Sequence, residues 1–263
     1  MASISRALNN FFDRLGKSRL LSDKVVLYSC ATCGIWGSFL FLFGLVAAGS
    51  VPAPKPWWDA ERMVQHWRDN LRGGHVGAAF LTLSGLFYVP FSAAIWWNIK
   101  RVPGIHPIIP MIQIAAGAAG VWTLSGPGDV LAAVLFRLER PPEITLALTE
   151  LFWILTFAPW GTFLVQDWAW AYAIMKDPRE KPPIPKAFAL INIITPLCFS
   201  PATLNHITKH GPLAWDGALS FWLSGMSFVV QMCVDSSLLV YATYHEPAES
   251  TERITEKAKE NVS

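Results

Sequence analysis

Long apolar runs separated by short polar segments dominate this chain. The first run, residues 25–49, contains no charged residue, and about 20 apolar residues suffice to cross the hydrocarbon core of a bilayer. Basic residues precede it, as in a signal peptide, but the apolar region of a signal peptide has only about 7–15 residues. The pattern therefore predicts a retained first transmembrane helix.

Five further spans are predicted by the same criterion, at 75–98, 107–124, 145–175, 186–206 and 212–244. The sequence Ser-Gly-Pro-Gly at 125–128 is expected to end the third span. The ten apolar residues that follow it, 129–138, are too few to cross a bilayer and predict a re-entrant or interfacial helix. The predicted fold class is all-α, a polytopic membrane bundle of about six transmembrane helices plus this short helix.

The N-terminal residues show helical periodicity of a different kind. Basic residues separate apolar residues that recur at helical spacing: Ile4, Leu8, Phe11, Phe12 and Leu15. This pattern favours an amphipathic helix on the membrane surface over an ordinary polar tail. The expected organisation is thus an amphipathic segment at 1–24, a transmembrane domain at 25–245 and a flexible cytoplasmic tail at 246–263.

Composition supports a membrane protein and excludes other classes. The chain is 52% apolar and only 15% charged, whereas soluble domains carry about a quarter charged residues. Intrinsic disorder needs the opposite composition, and four cysteines in 263 residues are too few for a disulfide scaffold. Since no basic stripe is present, nucleic acid is not an expected partner.

The distribution of basic residues predicts the orientation. With the N-terminus inside, the inner segments hold fourteen Lys and Arg residues and the outer segments hold seven. Basic residues accumulate on the cytoplasmic side of membrane proteins. We therefore expect an integral, multi-pass protein with both termini in the cytoplasm.

Two carboxylates lie at matching depths in the predicted spans. Asp167 and Asp235 each precede the inner end of a span by nine residues, which places both about 13 Å from the boundary. Side-chain amides lie near the same level on four different spans: Gln113, Gln166, Asn192 and Gln231. A carboxylate facing lipid is costly, so we expect these groups to converge in one buried polar chamber.

Such a chamber suits acid–base chemistry. Two neighbouring carboxyl groups do not both ionise easily, so one can act as an acid and the other as a base. The sequence favours a membrane-embedded enzyme that isomerises or cyclises a terpenoid, sterol or lipid-like molecule. A small proton-coupled transporter and a non-catalytic subunit of a membrane complex stay open as alternatives. In a purely structural alternative, these polar contacts only hold the bundle together.

The candidate catalytic residues are Asp167, Asp235 and Glu150. Tryptophans beside carboxylates can line a pocket for a hydrophobic molecule and stabilise a cation. The candidate substrate-binding residues are four tryptophans and three amides: Trp153, Trp160, Trp170, Trp222, Gln166, Asn192 and Gln231. Membrane lipids and a lipophilic substrate are the expected partners, and a homo-oligomer stays open.

A second polar group is predicted at the outer ends of the spans. It comprises two histidines and two carboxylates: His75, Glu150, His206 and Asp216. These residue types can bind a metal or haem, but they form no compact motif such as H-E-x-x-H. We therefore assign no metal ligand and no cofactor, and leave metal or haem binding here open. Cys30 and Cys33 form a C-x-x-C that is more typical of helix packing than of redox chemistry.

Overall fold

The computed structural model describes residues 2–245, including the side chains of residues 5–245. Within these residues it is an all-α bundle in which six helical segments are long and apolar enough to span a membrane. The predicted fold class is therefore confirmed. The flexible tail expected at 246–263 lies outside the described residues.

The N-terminal segment forms a helix, α1 (Ala2–Gly16). Its apolar side chains with a described position are all exposed: Leu8, Phe11, Phe12 and Leu15. A row of exposed leucine and phenylalanine is what an amphipathic helix presents to a lipid surface. The predicted helix is present, and its contact with a membrane stays a prediction.

Three long, unbroken α-helices form the first three spans. They are α2 (Asp23–Ala47), α4 (Leu71–Lys100) and α5 (Ile108–Phe136). Between α2 and α4 lies the short α3 (Ala60–Asp69), whose N-terminus is capped by Asp59 accepting from the backbone N–H of Arg62 at 2.8 Å. We refer to α2, α4 and α5 as the scaffold spans.

Glycines let the scaffold spans approach backbone to backbone. A Cβ added at Gly44 of α2 would lie 2.9 Å from the carbonyl oxygen of Gly77 on α4, and one added at Gly77 would collide with the carbonyl oxygen of Gly44. A Cβ at Gly128 of α5 would collide with the backbone of Thr82 on α4. Small residues at helix contacts are a common means of packing helices within a bilayer.

Helix α5 corrects one sequence prediction. The break expected at 125–128 does not occur, since the helix continues through Pro127 to Phe136. Helix α4 stabilises this stretch: Ser125 Oγ donates to the carbonyl of Thr82 at 2.9 Å, and Thr82 Oγ1 donates to Asp129 at 3.0 Å. Neighbouring helices make proline tolerable in a membrane helix. The prediction of a separate segment at 129–138 is therefore wrong, because α5 includes most of these residues.

The remaining three spans are irregular, and we call them the site spans. The fourth is one apolar segment, but it is interrupted around Pro159 between α6 (Pro142–Phe157) and α7 (Gly161–Lys176). The fifth consists of three short pieces: a 3-10 turn at Lys186–Phe188, α8 (Ala189–Ile194) and a 3-10 helix at Thr195–Leu204. Prolines remove the backbone donors that a regular helix needs.

The sixth span begins later than predicted. A π-helical turn at Ala218–Leu223 leads into α9 (Ser224–Tyr244), whereas residues 212–217 form a loop. Helix α9 returns beside α2, where the rings of Phe41 and Phe228 meet at 5.6 Å. The first and last spans are therefore neighbours. We call the end of the bundle where α2 begins and α9 ends the terminal end.

The other end is tied together by contacts between distant loops. Lys55 Nζ and Asp216 form an ion pair at 3.0 Å, and the indole N–H of Trp215 donates to the carbonyl of Pro54 at 2.8 Å. These contacts join the loop after the first span to the loop before the last. They fix the position of α9, which carries part of the site.

Candidate functional site

A buried polar cluster joins the fifth and sixth spans. Asn192 on α8 donates to Asp235 Oδ1 at 2.9 Å, and Gln231, one turn before Asp235 on α9, donates to its Oδ2 at 2.6 Å. The Gln231 amide also lies 2.8 Å from Asn192 Oδ1. All three side chains are at most 4% exposed. Both oxygens of the Asp235 carboxyl group are thus held by amide donors.

A second network joins α4, α5 and α7. Gln166 on α7 donates to the hydroxyl of Tyr88 on α4 at 2.9 Å, and Ser92 Oγ donates to Gln166 Oε1 at 3.2 Å. Gln113 on α5 completes the network by donating to the carbonyl oxygen of Ser92 at 3.1 Å. The four side chains are buried. The scaffold spans therefore supply the polar wall that faces the site spans.

Both networks meet at a small cavity lined by Asp167 and Asp235. Its volume is about 10 Å³, and Tyr88, Gln166 and Gln231 also line it. A cavity of about this size holds a single water molecule. We call this cavity the carboxyl chamber.

The two carboxyl groups of the chamber have different surroundings. Asp235 accepts hydrogen bonds at both oxygens. Asp167 is 4% exposed and accepts no hydrogen bond from the described residues. Hydrogen bonds from amide donors favour an ionised carboxylate, and burial without donors favours the protonated acid. The two carboxyl groups therefore differ in geometry: amide groups donate to both oxygens of Asp235, and within residues 5–245 none donates to Asp167.

An apolar pocket borders the carboxyl chamber. It has a volume of about 180 Å³ and lies among α2, α5, the α6–α7 break, the 3-10 segment and α9. Phe163, Phe199 and Phe228 line both the pocket and the chamber. The ring of Phe163 lies 6.3 Å from that of Phe199 and 5.8 Å from that of Phe228. A layer of aromatic rings is therefore common to the two spaces.

The predicted tryptophans divide into two groups. Trp160, at the α6–α7 break, and Trp222, in the π-helical turn, line the apolar pocket. Trp153 is fully buried beside the pocket and stacks on Trp215 at 6.4 Å, while Trp170 is buried in the packing of α7. Trp153 and Trp170 thus belong to the core and do not form the pocket wall.

Glu150 is not brought together with the two aspartates. Its carboxylate is partly exposed and forms an ion pair with Lys209 at 3.5 Å. The other members of its predicted group are also dispersed, since Asp216 pairs with Lys55 while His75 and His206 are exposed. Across residues 2–245, no three His, Cys, Asp or Glu side chains are placed to hold a metal ion together.

Sequence reasoning missed Tyr88 and the three phenylalanines of the shared wall. A signal existed for Tyr88, because it is the single tyrosine of the predicted span 75–98 and a buried phenol usually needs a hydrogen-bond partner. No comparable signal marks the phenylalanines, since apolar residues occupy every face of these spans.

Comparisons with known proteins gave no relative: no family model, curated protein or solved structure matches the chain.

Proposed function

We propose that this protein is a membrane-embedded enzyme that isomerises or cyclises a lipophilic small molecule, of the terpenoid, sterol or lipid-like class, by acid–base chemistry. One observation carries the proposal. Two carboxyl groups with opposite hydrogen-bond surroundings line one chamber, and that chamber shares an aromatic wall with an apolar pocket. Asp167 is the proposed acid and Asp235 the proposed base.

The proposed reaction consumes no co-reactant, because the proton that Asp167 gives is matched by the proton that Asp235 removes. In this proposal, the reacting part of the substrate extends from the pocket past the shared phenylalanines and displaces the water of the chamber. Asp167 adds its proton to one carbon of an alkene, or to an epoxide oxygen, and a carbocation develops on the substrate. The ionised Asp235 removes a proton from a neighbouring carbon, whose C–H electrons form the new double bond. The proton then passes from Asp235 back to Asp167, and the chamber has room for one water to carry it. The faces of the phenylalanine rings stabilise the transient cation.

The size and position of the pocket support a lipophilic substrate. A cavity of about 150 Å³ is enough to bind benzene, so the 180 Å³ of this pocket accommodates one ring-sized portion of a larger molecule. Trp222 and Met226 on its wall are exposed on the side of the bundle. A substrate dissolved in the bilayer can therefore enter laterally and leave the rest of its length in lipid.

Isotope exchange tests the proposal without knowledge of the substrate. The purified protein is incubated in D₂O with a panel of unsaturated terpenoids and sterols, and deuterium in the recovered compounds is measured by mass spectrometry. We expect at least one compound to be labelled. Asp167→Asn and Asp235→Asn should each reduce labelling by about 10²-fold or more, the typical contribution of general acid–base catalysis.

Asp129→Asn provides the matched control, because Asp129 is a span carboxylate whose partner is Thr82. Its labelling rate should equal that of the unchanged protein. Two outcomes would refute the enzymatic proposal. In the first, both chamber variants still label the compound, and in the second, no compound in the panel is labelled by the unchanged protein.

A proton-coupled transporter is the second candidate. The interruption around Pro159 and the non-α segment at Thr195–Leu204 support it, because discontinuous helices are common at transporter binding sites. Transport of a solute into liposomes, driven by an imposed pH gradient and without deuterium labelling, would favour this candidate over the enzyme.

We further propose that both termini lie in the cytoplasm, on the basis of the uneven Lys and Arg distribution. Reporter fusions test this orientation. A fusion after Lys181, in the loop between the fourth and fifth spans, should report from inside, and a fusion after Lys209 should report from outside. The reverse result would show that both termini lie on the outer side of the membrane.

A further inference from the structure

The apolar pocket has a mouth on the flank of the bundle. Three of the residues that line the pocket are exposed: Leu42 on α2, and Trp222 and Met226 in the sixth span. Leu42 lies near the end of α2 and Met226 near the start of α9, so this mouth is remote from the terminal end. A molecule dissolved in the bilayer therefore reaches the pocket between the first and the last span.

Gly225 lies at the edge of this mouth. It lines the pocket, it is half-buried, and a Cβ added there would meet no heavy atom within 4 Å. At Gly44 and Gly77, by contrast, an added Cβ would meet the backbone of the facing helix. Glycine destabilises a helix relative to alanine, and no close contact with the described residues requires it at 225. What glycine provides here is open space beside the pocket.

A side chain at position 225 would lie across the mouth. Side chains of a helix lean toward the preceding turn. The residues three and four positions before Gly225 are Trp222 and Phe221, and both line the pocket. The glycine thus leaves the space over these two rings free for a ligand.

The walls of the pocket favour a rigid ring system over a flexible chain. Aromatic side chains from several spans form most of these walls: Phe41, Phe157, Trp160, Phe163, Phe199, Phe221, Trp222 and Phe228. Aromatic rings offer broad apolar faces. A fused-ring molecule can cover such faces without losing freedom of rotation about its bonds, whereas a flexible chain is ordered at a cost when it binds.

We propose that Gly225 is the specificity-determining residue of the pocket, and that the open mouth admits a fused-ring molecule of the sterol type in preference to a linear isoprenoid chain. This inference rests on the proposed function, because it assigns the substrate class of the same pocket. Gly225→Leu adds four carbon atoms over Phe221 and Trp222. It should narrow the mouth for a ring system, while a chain one carbon wide can still pass.

Binding of two alcohols to the purified full-length protein in neutral detergent tests the proposal. The probes are radiolabelled cholesterol, which has fused rings, and radiolabelled geranylgeraniol, which is linear, and a scintillation proximity assay gives a Kd for each. We expect saturable binding of cholesterol with the lower Kd. Gly225→Leu should raise the Kd of cholesterol about tenfold or more, the range for a misfit of one or two methylene groups in an apolar pocket. The Kd of geranylgeraniol should rise by less than about threefold.

Gly161→Leu is the matched control. Gly161 also has open space at its Cβ, but it is exposed at the start of α7 and does not line the pocket. This variant should bind both alcohols as the unchanged protein does. Melting temperatures without ligand check that the variants are folded. If Gly225→Leu is not, Gly225→Ala decides the outcome through a smaller loss that is confined to cholesterol.

Four results would overturn the proposal. The unchanged protein could bind cholesterol no more tightly than geranylgeraniol, or cholesterol binding could be unchanged in Gly225→Leu. Equal losses of the two alcohols in Gly225→Leu, or an equal loss of cholesterol binding in Gly161→Leu, would overturn it as well.

Deuterium labelling separates the failure of this inference from the failure of the proposed function. Cholesterol binding that depends on Gly225, without labelling of any compound, would refute the enzyme and leave the pocket specificity standing. Labelling of linear terpenoids by a protein that does not bind cholesterol would refute the fused-ring inference and leave the enzyme standing.

Discussion

The scaffold spans and the site spans solve the same problem in different ways. Each must satisfy its backbone hydrogen bonds inside an apolar medium. Helices α2, α4 and α5 do so as unbroken α-helices that pack through glycine contacts. The site spans are interrupted around Pro159, tightened into a 3-10 helix at Thr195–Leu204 and widened into a π-turn at Ala218–Leu223.

The regular spans support the site, and the irregular spans carry its candidate catalytic groups. Both chamber aspartates lie on site spans, and the apolar pocket is lined where those spans depart from regular geometry. The scaffold contributes Tyr88, Ser92 and Gln113, which bond to neighbouring side chains or to backbone and brace Gln166. A regular half thus provides a fixed surface against which an irregular half can enclose a cavity.

The largest effect is expected from a substitution that disrupts the glycine contact between α2 and α4. Gly77→Leu should destabilise the protein by about 3 kcal/mol or more, at the upper end of overpacking costs, because its Cβ collides with the Gly44 carbonyl of the facing helix. Gly161→Ala, at the exposed start of α7, has open space at its Cβ and should be neutral. Thermal unfolding in detergent measures both. Equal stability of the two variants would contradict the close-packed scaffold.

A smaller effect is expected when the buried network of the site spans is cut. Asn192→Leu removes one donor to Asp235 and should cost about 1–2 kcal/mol. The matched change in the scaffold is Thr82→Val, which removes a single exposed bond to Asp129 and should cost about 0.5 kcal/mol or less. The same unfolding measurement compares them. A larger loss of stability for Thr82→Val than for Asn192→Leu would contradict the proposal that the site spans depend on buried polar contacts.

The smallest effect concerns the loop between the fourth and fifth spans. Burial alone would raise the pKa of Asp177. The hydrogen bonds and charge of Arg179, together with the charge of Lys186, outweigh burial and lower this pKa below its usual value of 3.8. The contribution of Asp177 to stability is therefore complete above that usual value and is lost as pH falls through the lowered pKa. Because Arg179 is partly exposed, we expect less than about 1 kcal/mol.

The measurement is the loss of melting temperature between pH 7 and pH 3. Asp177→Asn should lose less than the unchanged protein, because it has no carboxylate to protonate at this position. Identical losses would show that the Arg179 contact does not stabilise the fold.

The sequence predicted what depends on hydropathy and depth. It placed six spans, and the depth of Asp167 and Asp235 from their span ends put both at the level where the structure has one chamber. Their catalytic roles stay predictions. Depth along a helix can be counted in residues, so this part of the site was accessible without a structure.

What the sequence could not predict depends on which way each helix face points. Glu150 and Trp153 were both predicted site residues, yet Glu150 pairs with Lys209 and Trp153 lies in the core. The prediction of a helix break before Asp129 was wrong for a related reason. Glycine and proline were interpreted from local propensity, whereas Thr82 on a neighbouring helix stabilises this stretch of α5. Contacts between helices decided both outcomes.

The ties between Lys55 and Asp216, and between Pro54 and Trp215, join residues 161 positions apart, and this has a consequence for biosynthesis. A chain is inserted from its N-terminus, so the scaffold spans can associate while the rest is still being made. Asp167 then enters the bilayer before α9, which brings Asp235 and Gln231, has been synthesised. The chamber is therefore completed only when the last span is present, and a chain halted before residue 218 would contain Asn192 without the carboxylate that it binds.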